Sequence, residues 1–190
     1  MTHKLILILG GARSGKSRYA MEMAARLGRR IVHLATATAG DEEMRQRIEE
    51  HRRERPADWQ TIEATENVGQ VLAQIADPAN SSGARADVVI LDCLTLLVSN
   101  LMAAAGDAAS RDALDARVQA EVDGILHAFH TGHFTLIIVS NEVGMGIVPA
   151  YPLGRSYRDL LGGVNQRVAR EADQVFLMVA GLPVEIKTLA

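Results

Sequence analysis

The chain has 190 residues, of which 48% are apolar, with a formal net charge of −3 and a pI near 6.1. That length suits a single domain, residues 1–190, with a substantial core, and the charge excludes an overall basic footprint for nucleic acid. The one cysteine, Cys93, allows no intrachain disulfide and reads as a buried structural thiol in a cytoplasmic protein.

Residues 4–9 form an apolar, strand-like run that leads directly into Gly10-Gly11-Ala12-Arg13-Ser14-Gly15-Lys16-Ser17. This is G-x-x-x-x-G-K-S in a strand, loop and helix context, the pattern of a phosphate-binding loop. The glycines let backbone approach an anion without a Cβ clash. Successive N–H groups and the following helix N-terminus face the phosphates. Lys16 brings positive charge to the β- and γ-phosphates, and the Ser17 hydroxyl is suited to Mg²⁺.

A helix is predicted from near Ser17, with Tyr19, Met23 and Leu27 as one face and Gly28 as its stop. Residues 31–35 read as a second strand. Residues 41–54 read as a charged helix with Met44 and Ile48 as its apolar face, ended by Pro56. A short strand at 59–62 and a helix marked by Val68, Leu72 and Ile75 follow. Residues 78–84 are the clearest loop. A buried strand at 87–91 ends at Asp92, and helices follow at 94–102 and 111–129. Next come a buried strand at 134–140, a Gly- and Pro-rich loop at 144–152, a helix at 157–172 and strands at 174–179 and 184–187. Asp92, Thr95, Ser99 and Asn100 interrupt the longest apolar stretch, so no membrane span is predicted. Nor does the N-terminus have a signal-peptide layout. Apolar strands alternating with helices predict an α/β fold with a mostly parallel sheet covered by helices on both faces.

Several residues carry candidate chemistry. Asp92 closes an apolar strand, where phosphate-loop proteins hold Mg²⁺; a helix cap is the plainer role. Ser140-Asn141-Glu142 ends another apolar strand at the same sheet edge, where it could orient Mg²⁺ water or substrate, or simply turn the chain. His51 stands among Arg45, Arg47, Arg52, Arg53 and Arg55. Guanidiniums suit phosphate, and nearby positive charge favours the neutral, nucleophilic imidazole. A solvated mixed-charge helix with pairs such as Glu43–Arg47 and Glu49–Arg53 is the plainer reading. His127, His130 and His133 are spaced by three, but Gly132 interrupts them and no cysteine or carboxylate completes a metal set. No N/T-K-x-D motif fixes a guanine preference.

Together these segments resemble one family, the bifunctional adenosylcobinamide kinase / adenosylcobinamide-phosphate guanylyltransferase of cobalamin biosynthesis. The matching pieces are the phosphate loop; Leu34-Ala35-Thr36-Ala37; Asp41-Glu42-Glu43-Met44 with Arg47-Ile48, His51 and Arg55-Pro56-Ala57-Asp58-Trp59; and Asp92-Cys93-Leu94-Thr95 with Ser99-Asn100-Leu101. Asn141-Glu142-Val143-Gly144-Met145-Gly146-Ile147-Val148-Pro149 and Tyr157-Arg158-Asp159 with Asn165-Gln166 complete them. The resemblance implies a RecA-like phosphate-loop fold in a homotrimer, with His51 covalently guanylylated. It implies a nucleotide site of Gly10 to Ser17, Ala35, Thr36, Ala37, Arg52, Arg53, Glu54, Arg55, Glu63 and Asp92. Gly163 stands where many relatives are expected to have arginine; Arg155, Arg158 and Arg167 are candidates to supply that charge.

The implied reactions transfer the γ-phosphoryl of ATP or GTP to adenosylcobinamide, then GMP from GTP to adenosylcobinamide phosphate. Lys16 and His51 are the expected catalytic residues, with Ser17 and Asp92 as ligands of Mg²⁺. Two other readings stay open. One is a phosphate-loop small-molecule kinase in which His51 is structural. The other is a RecA-like module that drives a partner, against which the negative charge and lack of a basic arm weigh.

Overall fold

The strand β1 (Leu5–Gly10) is buried along its whole length, because it lies between two parallel neighbours under helices on both sides. The computed structural model describes residues 3–38, 40, 42–77, 85–106 and 110–189; the predicted loop at 78–84, residue Asp41 and the side chains of Glu43, Met44, Arg47 and His51 lie outside the described residues. After β1 come α1 (Lys16–Leu27), β2 (Ile31–Ala35), α2 (Glu42–Arg53), β3 (Gln60–Glu63), α3 (Val68–Ala76) and β4 (Val88–Asp92). Then follow α4 (Leu94–Ala105), α5 (Arg111–Thr131), β5 (Thr135–Val139), α6 (Pro152–Glu171), β6 (Gln174–Val179), β7 (Leu182–Glu185) and a 3-10 turn, Lys187–Leu189.

The strands form one seven-stranded sheet in the order β3-β2-β4-β5-β1-β6-β7. All neighbours are parallel except β7, which returns antiparallel to β6. Alternate residues serve opposite faces, as the period of a strand requires. Leu5, Leu7 and Leu9 join Val89, Leu91, Leu136 and Ile138 in a core with α3 to α6. Ile6 and Ile8 join Ile90, Ile137, Val139 and Phe176 in a second core under α1.

Three expectations shift. The buried positions of α1 are Lys16, Ala20 and Ala24, while Leu27 is exposed and Tyr19 and Met23 only flank the core. Small alanines face the sheet and let the helix lie close to it. The α6 helix starts at Pro152, inside the predicted loop and before the predicted residue 157. Proline at the first helical position loses only an N–H that has no intrahelical partner. Finally, β7 begins at Leu182 because Ala180 and Gly181, with φ of 52° and 82°, close a two-residue hairpin.

Candidate active site

The sheet register brings the catalytic candidates together. Val139 of β5 is the Cα partner of both Ile8 in β1 and Asp92 in β4, and Ala35 of β2 pairs with Asp92. The ends of β1, β4, β5 and β2 therefore share one edge. There the glycine-rich loop turns into α1, with positive φ at Gly10, Arg13 and Gly15. A Cβ on Gly10 would lie 2.6 Å from Ser14 Oγ and 2.8 Å from the Met178 carbonyl oxygen, so only glycine fits. The loop is braced from outside: the N–H of Gly181 donates to the Ser14 carbonyl at 3.1 Å, and the N–H of Glu142 donates to the Gly10 carbonyl at 3.0 Å.

Lys16 is buried, and its Nζ donates to the Gly11 carbonyl at 2.6 Å. The ammonium is thus held against the glycine-rich loop. A cleft of about 870 Å³ opens there, a volume within the usual range of small-molecule and cofactor sites. Of the predicted site residues, Ala12, Arg13, Ser14, Gly15, Lys16, Ser17, Ala35, Ala37, Arg52, Glu54, Arg55, Glu63 and Asp92 line it. Gly10 and Gly11 shape the loop beneath.

Other predicted residues stand elsewhere. Thr36 is fully buried; its hydroxyl donates to the Cys93 carbonyl at 2.7 Å and accepts from the Cys93 N–H at 2.9 Å. It clamps the chain just after Asp92. Arg53 is exposed and pairs with Glu49 at 3.6 Å. His51 lies on α2, but its side chain is outside the described residues. None of Arg155, Arg158 and Arg167 lines the cleft; Arg155 donates to the carbonyls of Pro149 and Ala150, and Arg167 pairs with Asp123. His130 sits 3.8 Å from Glu171, and the His133 ring packs on His3. Among the described residues, no group of three His, Cys, Asp or Glu side chains is placed to hold a metal.

Arg52 forms an ion pair with Glu63, and Arg55 donates to Thr61 Oγ1 at 3.5 Å. Burial lowers the Arg55 pKa from its usual value; Asp92 opposes this, while the neighbouring Arg52 adds to it. Cys93 is half-buried, not fully buried as expected, because it too borders the cleft. Burial, followed by the charge of Asp92, pushes its thiol pKa up to about 11.

The structure adds residues that the sequence reading did not assign to the nucleotide site. Gln46, Ile48 and Glu50 of α2, Arg18 of α1, Thr95 and Leu96 of α4, and the Ala180-Gly181 turn also line the cleft. His33 is buried in β2, with Nε2 3.8 Å from Asp92 Oδ2 and no hydrogen-bond partner for Nδ1. Ser17 and Asp92 offer a hydroxyl and a carboxylate oxygen in one cleft beside the phosphate loop. Hard oxygen donors, few in number, fit Mg²⁺, which keeps waters and takes the rest of its shell from substrate phosphates.

A phosphate loop after a central strand, with a carboxylate at the end of another, defines a RecA-like phosphate-loop nucleotide-binding fold. The fold resembles that of the ATP synthase subunit NeqB from Nanoarcheaum equitans, with a TM-score of 0.58 at 13% identity over 92% of this chain; it spans 45% of that subunit's length. Residues 6–186 match the family described as cobinamide kinase / cobinamide phosphate guanyltransferase, and the chain belongs to that family. The bifunctional adenosylcobalamin biosynthesis protein CobU of Escherichia coli (strain K12) is 37% identical over 188 residues, covering 96% of this chain and 99% of that protein. CobP of Pseudomonas aeruginosa, described likewise, is 40% identical over 181 residues, covering 95% and 96%.

Proposed function

We propose that the protein phosphorylates adenosylcobinamide and then guanylylates adenosylcobinamide phosphate, both with nucleotide seated in the one cleft. Family membership makes it a kinase and guanylyltransferase of cobalamin biosynthesis. The observation that carries the combined reading is the lining of the cleft. Lys16 and Ser17 face it from the phosphate loop, and Ile48, Glu50, Arg52, Glu54 and Arg55, the residues around His51, face it from α2 and its C-terminal turn.

In the kinase step, a substrate hydroxyl oxygen bonds to the γ-phosphorus as the bond to the β-phosphate oxygen breaks, and the hydroxyl proton passes to solvent or a nearby base. Lys16 and the loop amides stabilise the charge on the transferring group. Ser17 and Asp92 would hold Mg²⁺, which when bound neutralises phosphate charge. In the second activity, a neutral His51 nitrogen bonds to the α-phosphorus of GTP and pyrophosphate leaves. A phosphate oxygen of adenosylcobinamide phosphate then takes the GMP and frees His51, giving adenosyl-GDP-cobinamide; one displacement becomes two. Arg52 and Arg55 offset charge on the triphosphate. A homotrimer is the proposed assembly; it would give cover to exposed Met145, Ile147 and Leu153, and sedimentation would measure it.

GTP labelled at the α-phosphate tests the covalent step. Label that survives denaturation and base, is lost in acid and is missing from His51→Ala supports it. Folded, GTP-binding wild type without label leaves a kinase with a structural His51.

A further inference from the structure

Three polar residues follow β5, and the structure separates their tasks. Ser140 is fully buried, and its hydroxyl donates to Asn165 Oδ1 at 2.7 Å. Glu142 is committed to the loop: its carboxylate accepts from the N–H groups of Gly144 at 2.8 Å and Met145 at 2.9 Å. Asn141 is different. Its backbone is held at both ends, the N–H donating to Thr95 Oγ1 at 2.8 Å and the carbonyl accepting from Asn165 Nδ2 at 2.9 Å, while the residue lines the cleft.

The frame behind it is polar and mostly buried. Thr95 and Asn165 are each 8% exposed, and the Tyr157 hydroxyl donates to the Thr95 carbonyl at 3.1 Å. Burial pushes the Tyr157 pKa up to about 12, so the donor keeps its proton. Buried polar groups persist only when hydrogen-bonded, and a satisfied network fixes geometry more tightly than apolar contact. Here α4 and α6 jointly fix the backbone of one cleft residue.

Its place is between the two halves of the phosphate machinery. Val139, two residues earlier, is in register with Ile8 before the phosphate loop and with Asp92. A carboxamide there offers two N–H donors and one acceptor without negative charge. It can donate to phosphoryl oxygens where a carboxylate would repel them.

We propose that Asn141 is a further catalytic residue of the kinase step, its carboxamide donating to the phosphoryl group in flight, with Thr95 and Asn165 as its positioning residues. This rests on the kinase reading above. Guanylyl transfer, in that reading, breaks a bond at the α-phosphorus beside α2 and not at the γ-phosphorus, so loss of Asn141 should affect it less.

The test compares wild type, Asn141→Ala and Asn141→Asp for phosphoryl transfer to cobinamide and for protein labelling by α-labelled GTP. Asn141→Ala should lower the kinase kcat by about 10²-fold, the usual loss for one transition-state donor, with a much smaller change in nucleotide KM and in protein labelling. Asn141→Asp should be worse. Asn165→Leu, checked for folding by thermal melting, should show a smaller loss with the same split. Full kinase activity in Asn141→Ala, or equal loss of kinase activity and labelling, overturns the assignment alone. Wild type that labels with GTP but does not phosphorylate cobinamide overturns the kinase reading and this assignment with it.

Discussion

Asp87 precedes β4, and its carboxylate accepts the backbone N–H groups of Arg29 at 3.0 Å and Arg30 at 2.9 Å, together with the Arg30 guanidinium at 2.7 Å. These bonds, led by the Arg30 side chain, lower its pKa from 3.8 to about 2. A carboxyl with a depressed folded pKa contributes stability above its unfolded pKa and loses it as pH falls through the folded one. Stability should therefore drop between pH 4 and pH 2, a drop missing from Asp87→Asn. The carboxylate is 32% exposed and its partner 54%, so solvent screening holds the effect to about 1 kcal/mol; urea melts at stepped pH would measure it. The carboxylate at Asp92 was readable in sequence because it ends an apolar strand. His33 was not, because inside a strand it looks like one more sheet residue; only the pairing of β2 with β4 brings it near Asp92. The lining residues Gln46 and Glu50 were equally hidden, since a mixed-charge helix gives no sign of which side meets a cleft.

At the scale of elements, α3 and α5 approach closely enough to meet through glycine. A Cβ on Gly69 would fall 2.5 Å from the Gly124 carbonyl carbon, yet a Cβ on Gly124 would meet Gly69 Cα at an ordinary 3.6 Å. The two substitutions should therefore differ in sign. Gly69→Ala should cost about 1–3 kcal/mol, since backbone must separate. Gly124→Ala should be neutral or stabilising by up to about 1 kcal/mol, because alanine favours a helix interior. Thermal melts of both variants would check the asymmetry. Periodicity located α3 and α5 but could not reveal this contact, because Gly69 and Gly124 are 55 positions apart and carry no side chain to form a pattern. The early start of α6 was missed for a related reason. Gly144, Gly146, Pro149 and Pro152 together read as loop, although the last of these is where a helix tolerates proline.

For the whole molecule, one cleft lined by both the phosphate loop and α2 leads to the prediction that the two proposed activities share a single nucleotide seat. ATP should inhibit labelling by α-labelled GTP competitively, with a slope effect and no effect on maximal labelling; separate sites would give no such competition. The parallel α/β architecture was legible in the alternation of apolar strands and helices, but the strand order was not, because periodicity does not say which strands pair. That order bears on how the protein is made. Synthesis releases β1 and its phosphate loop well before both neighbours of β1, with β5 starting at Thr135 and β6 at Gln174. The brace on Ser14 comes later still, from Gly181. Long-range pairing must bear loop-closure entropy before it returns contacts. A growing chain on the ribosome therefore carries the nucleotide motif without a nucleotide site until β5 and β6 have been made. Nucleotide can stabilise the fold only once those strands and the Gly181 turn are in place, and until then an apolar strand is uncovered and open to aggregation.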